Sequence, residues 1–119
     1  MEIHLTAQQA LNLWRIALSR AVHELEPDLS VRQMAILLNV YLTPAPHIVR
    51  GLAGQLSLAK PAVTRDLDRL QTAGFIRRAP DRRNGRSVII EHTVKGAVFL
   101  GEFGAYVSEA GRDVASAPA

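Results

Sequence analysis

Apolar residues recur three and four places apart over most of this chain and alternate with polar ones only in a short stretch past its middle. The first periodic run predicts a long amphipathic helix over Thr6–Glu26. Leu13, Ala17, Ala21, Val22 and Leu25 are at helical spacing, and Leu11, Trp14 and Leu18 widen the stripe. Pro27 ends it. Ser30-Val31-Arg32-Gln33 is a capping box, in which serine oxygen and glutamine side chain satisfy open backbone donors at a helix start. The second helix runs through Met34, Ile36, Leu37 and Leu38 to about Leu42. Pro44 and Pro46 force a break before a third helix over His47–Leu56, and Ser57–Ala59 form a turn. Pro61 suits the first turn of a fourth helix, where its missing N–H costs nothing, and Gly74 suits the left-handed position past that helix's end.

Phe75–Arg78 and Ser87–Ile90 then read as paired strands, with Asn84-Gly85 as the turn signal between them. Thr93 caps a final helix running to about Val114. Its apolar positions Val94, Val98, Phe99, Phe103, Tyr106 and Val107 share a face with Gly96, Gly101 and Gly104, small residues that permit close helix approach. Residues 115–119 are expected to fray. The fold class is therefore mainly α with a small β-hairpin wing: a helix-turn-helix over about residues 30–92 between helices over about 3–26 and 93–114. No internal repeat or long linker divides the 119 residues, which suit one domain.

Composition narrows the function. No cysteine is present, so disulfides, thiol redox chemistry and thiolate metal sites are excluded. No signal-peptide pattern opens the chain, and Leu11–Val22 is too short and too polar to cross a membrane, so a cytoplasmic protein is expected. Net charge is only +3, but nine Lys and Arg against three Asp lie between His47 and Ile90. A positive field concentrated there attracts phosphate backbones. His4, His23, His47 and His92 make no i, i+4 pair and lack clustered carboxylates, so no metal site is expected. Ser19, Ser57 and Ser87 lie in no nucleophile motif, and no glycine-rich phosphate loop exists, so neither catalysis nor a cofactor is expected. Trp14, Tyr41 and Phe103 read as core aromatics first and ligand-pocket lining second.

On the fourth helix Val63, Leu67 and Leu70 line one side, facing Leu52, Leu56 and Ile76. Lys60, Pro61, Thr64, Arg65 and Asp68 fall opposite. In a helix-turn-helix the start of the second helix meets base edges in the major groove. Arg65 has the fork to take guanine O6 and N7, Thr64 suits a base or a thymine methyl, and Lys60 and Arg69 suit phosphates. Asp68 is open to three roles: orienting Arg65, accepting from a cytosine amine, or offsetting repulsion. Arg82, Arg83 and Arg86 on the hairpin tip suit a narrow minor groove, with Asp81 anchoring one arginine of the loop. An arginine on a helix or hairpin is often merely solvated; here the two elements together favour double-stranded DNA as the partner.

The segment Ala53–Arg78, its hairpin and Thr93-Val94-Lys95-Gly96 resemble the winged helix-turn-helix of the MarR family of multiple-antibiotic-resistance regulators. Lys60-Pro61-Ala62-Val63-Thr64-Arg65, Leu70 through Gly74-Phe75-Ile76 and the wing carry the likeness, which spans Thr6 to about Tyr106. The resemblance implies a homodimeric regulator, with a repressor as the expected form. It reads a palindromic operator with helix in the major groove and wing arginine in the minor groove, and is released by a small aromatic or phenolic effector. Departures are visible too: Ala59 replaces the usual capping serine, His92-Thr93 replaces Leu-Thr, and either Asp81 or Asn84 fills the acidic position of the wing. Counting back from Thr93 favours Arg86 as the minor-groove arginine. The terminal helices carry more apolar surface than a small headpiece covers, which points to the same homodimer. The rival reading is a winged-helix adaptor that binds a protein partner instead of DNA.

Overall fold

The computed structural model of the chain describes residues 4–116; Ile3 and residues 117–119 of the tail expected to fray lie outside them. Ala115 and Ser116, also expected to fray, are helical. Its elements run α1 (Ala7–Glu24), α2 (Val31–Leu42), α3 (Val49–Leu56), α4 (Lys60–Thr72), β1 (Ile76–Pro80), β2 (Val88–His92) and α5 (Val94–Ser116). The expected five helices and hairpin are all present, and the fold is a winged helix-turn-helix. Residues cluster into two compact units: Leu29–Val98, and the residues up to Asp28 together with those from Phe99 on.

Local chemistry sets most of the boundaries in Leu29–Val98. Ser30 caps α2 through the predicted box, its oxygen accepting from Gln33 N while the Gln33 side chain accepts from Ser30 N. The α3–α4 turn begins at Ser57, which is left-handed at φ 54° and whose neighbour Leu58 N donates to Ala53 O at 2.9 Å. After α4, Gly74 takes φ 84°; Gly74 N donates to Gln71 O and Phe75 N to Leu70 O, the paired bonds of a left-handed helix stop. Pro61 falls in the first turn of α4 as expected. The core of this unit is Ile36, Leu37, Val40, Leu52, Val63, Leu67, Leu70, Phe75, Ile76 and Ile90.

Three local expectations need correction. The third helix starts at Val49, not His47, because the His47 carbonyl accepts from Ile90 N and so bridges the chain to β2. The strands lie further along than expected, pairing from Ile76↔His92 to Pro80↔Val88. Asn84-Gly85 does not make a tight two-residue turn: Gly74 is the one described glycine with positive φ, and such a turn needs it at Gly85. Asp81 N instead donates to Ser87 O, and the Asp81 and Asn84 side chains accept from Arg83 N and Arg86 N, building a wider tip.

The root of the hairpin is tied to α2. Tyr41 Oη lies 2.7 Å from Phe75 O and accepts from Thr93 N at 2.9 Å, and its ring stacks on His92 at 4.1 Å. Thr93 Oγ1 donates to Gly74 O and accepts from Gly96 N, so the predicted cap of α5 also ties it to the stop of α4. Gly96 belongs to this knot and not to a stripe shared with Gly101 and Gly104: a Cβ on it would meet Tyr41 Oη at 2.0 Å and Phe75 O at 2.2 Å. Gly101 and Gly104 face open space.

In the other unit Thr6 and Gln9 form a capping box that opens α1, and the helix ends at Glu24 ahead of Pro27. Ala17, Leu25, Phe99, Phe103, Ala110 and Val114 are buried, Trp14 lies 6.4 Å from Phe103, and Arg20 pairs with Glu109 and covers the Tyr106 ring. Leu11, Trp14, Leu18 and Val22 instead form an exposed stripe along α1. No helix among the described residues is long and apolar enough to cross a membrane.

Candidate nucleic-acid interface

The fourth helix divides as its sequence predicts, with one addition. Val63, Leu67 and Leu70 are buried, and Lys60, Pro61, Thr64, Arg65, Asp68 and Arg69 are exposed. The side chain at Ala59 offers α4 no cap, so its first turn presents an open end beside Lys60. A positive dipole end next to a lysine favours an anion. Lys60, Arg65 and Arg69 make no ion pair with any described residue, which leaves them available to a partner.

The addition is Asp66. It is 2% exposed on the inner side of α4, a position where a charge is costly unless its oxygens are bonded. Arg32, from the first turn of α2, supplies Nε to Oδ2 and Nη2 to Oδ1 at 3.2 Å, and Gln33 Nε2 donates to Oδ1 at 3.3 Å. The hydrogen bond that Arg32 donates to Asp66, and next the negative charge of that carboxylate, push the Arg32 guanidinium pKa still higher. The one local signal is an acid at an i+3 step from Val63 inside an otherwise apolar face; the identity of its partner is not local.

Asp68 has a partner that its sequence context does not suggest. Its Oδ1 accepts from Arg78 Nη2 at 2.6 Å, and Arg78 Nε donates to Gln71 at 2.7 Å. The carboxylate ties α4 to β1 and does not hold Arg65. Asp81 likewise differs from expectation. It accepts from the Arg83 backbone and shapes the tip, because a carboxylate two residues back reaches that N–H before a guanidinium. Arg82, Arg83 and Arg86 are all exposed on the tip, and an open groove of about 710 Å3 runs along the hairpin between Arg77, Ala79, Ile89 and the tip. Arg77 itself pairs across the strands with Glu91 at 3.0 Å. Arg50, exposed on α3 and not singled out in the sequence, adds to the same positive set. No group of His, Asp or Glu that could hold a metal ion occurs among the described residues.

Two helices joined by a short turn, with a hairpin behind the second, define a winged helix-turn-helix protein. The profile of the MarR family matches residues 29–88, half of the chain, and the protein belongs to that family of DNA-binding transcriptional regulators. Among the curated proteins, none matches the sequence closely enough to count as a relative. Solved structures are similar over nearly the whole chain. A variant of S. aureus MepR bound to an oligodeoxyribonucleotide superposes with a TM-score of 0.78 at 18% identity, covering 98% of this chain and 86% of that one. A variant of E. coli MarR complexed with operator DNA gives 0.66 at 22%, covering 90% and 71%. CouR from Rhodococcus jostii, bound to p-coumaroyl-CoA, gives 0.67 at 21%, covering 94% and 77%.

Proposed function

We propose that the chain acts as a homodimeric repressor that reads a palindromic operator, with α4 in the major groove and the wing tip in the minor groove. The observation that carries this reading is the separation of faces on α4. Val63, Leu67 and Leu70 are consumed by the core, while Lys60, Thr64, Arg65 and Arg69 stand exposed beside a wing whose Arg82, Arg83 and Arg86 are also exposed. Thr64 and Arg65 are assigned to base edges, Lys60, Pro61 and Arg69 to the backbone, and the three wing arginines to the minor groove. Asp68 is assigned to holding α4 against the wing root through Arg78. Two MarR-family structures of this fold hold DNA, which supports the partner. The stripe Leu11, Trp14, Leu18 and Val22 supports association of two copies through the terminal helices. CouR's bound p-coumaroyl-CoA supports a small aromatic effector.

Selection of bound sequences from a random duplex pool, followed by titration at two salt concentrations, tests the reading. A palindromic consensus is expected, with affinity falling steeply as salt rises because each neutralised phosphate releases counterions. Arg65→Ala should cost about 1–3 kcal/mol on the consensus and relax discrimination at one base step. Arg86→Ala should weaken A·T-flanked sites most. No enrichment, and no duplex binding at either salt concentration, would leave the protein-binding adaptor instead.

A further inference from the structure

On the inner side of α4, Val63, Leu67 and Leu70 are fully buried, and apolar burial is non-directional, so it fixes how deep the helix lies better than how it is turned. Asp66 is different. It lies one residue after Arg65 and two after Thr64 on the same helix, and it is gripped by donors from a single turn of α2. Arg32 presents a planar fork that donates to both Asp66 oxygens, so the pair is sensitive to orientation as well as distance. Gln33 spends its oxygen on the Ser30 backbone and its amide on Asp66, so the capping box of α2 and the seat of α4 share one side chain. A turn of about 20° about the α4 axis would carry a side-chain tip about 6 Å from that axis by about 2 Å. Hydrogen bonds to base edges tolerate a few tenths of an ångström.

We propose that Arg32 is a positioning residue for sequence reading: by clamping Asp66 it sets the rotation of α4, and with it the angle at which Thr64 and Arg65 meet base edges. Arg32 is assigned no contact with a base. This inference rests on the DNA reading above and sharpens it to a residue on a different helix.

The test begins with the unaltered chain and a random duplex pool. Absence of any enriched sequence overturns the DNA reading and this inference together. With a preferred duplex in hand, Arg32→Met and Arg32→Lys are titrated against that duplex and against random duplex, at a temperature where circular dichroism shows each variant folded. Arg32→Met should weaken the preferred duplex about tenfold and random duplex less than about twofold, leaving the salt slope on random duplex unchanged. Arg32→Lys keeps the charge and loses the fork, and should still lower the preferred-to-random ratio about threefold. Equal losses on both duplexes with a shallower salt slope would make Arg32 a phosphate contact. An unchanged ratio in the lysine variant, whether or not Arg32→Met folds, would make the clamp purely structural; either result overturns the proposal while leaving the DNA reading standing.

Discussion

The two compact units of this chain bury very different cores. Every one of the largest fully buried side chains, from Phe75 and Ile36 to Val40 and Val63, lies within Leu29–Val98. The unit of terminal helices buries two alanines, a leucine, a valine and two phenylalanines, and leaves Leu11, Trp14, Leu18 and Val22 in solvent. The lesson is one of self-sufficiency. The winged unit builds a core of fully buried side chains that can hold a rigid reading surface, although Val31, Leu42, Val88, Val94 and Val98 stay exposed on it. The helical unit instead lines up its exposed apolar residues in one stripe along α1, the area that the proposed second copy would cover.

Substitutions can break or sharpen that contrast. Leu67→Ala, at the centre of the closed core, should cost about 2–5 kcal/mol of folding stability in denaturant melts. Trp14→Ala should spare the fold by comparison and instead weaken self-association, read by sedimentation; a Trp14→Ala loss as large as that of Leu67→Ala would erase the distinction. Gly96→Ala should cost about 1–3 kcal/mol, because its methyl group has no room beside the Tyr41 hydroxyl and the Phe75 carbonyl. Adding Tyr41→Phe removes one obstacle and leaves the backbone oxygen, so the double variant should recover only part of the thermal midpoint. Smallest are the caps. Ser30→Ala and Thr6→Ala should each cost about 1 kcal/mol. If Thr6→Ala leaves hydrogen exchange in the winged unit untouched, the two units open separately; if it raises exchange everywhere, they open as one.

Legibility in the sequence follows the range of the interaction. Ser30 with Gln33, Pro61 in a first helical turn and Gly74 at a helix stop act within a few residues, and each is placed as its local chemistry dictates. The exposed and buried sides of α4 follow from helical period alone. Asp66 escapes notice because its meaning depends on Arg32, which is distant in sequence and close only in the fold. Gly96 reads as part of a small-residue stripe because period is visible and the Tyr41 hydroxyl is not. Asn84-Gly85 carries a strong turn preference, yet the Asp81 and Asn84 side chains claim nearby backbone donors and widen the tip.

The knot at Tyr41, Thr93 and Gly74 has a mechanical corollary for the hairpin. A ribbon tied by hydrogen bonds where both of its strands leave the core is expected to resist bending at the base more than at the free end. Adjustment of its reach toward a surface is then expected first among residues 81–87, where three arginines sit, ahead of a swing of the whole arm.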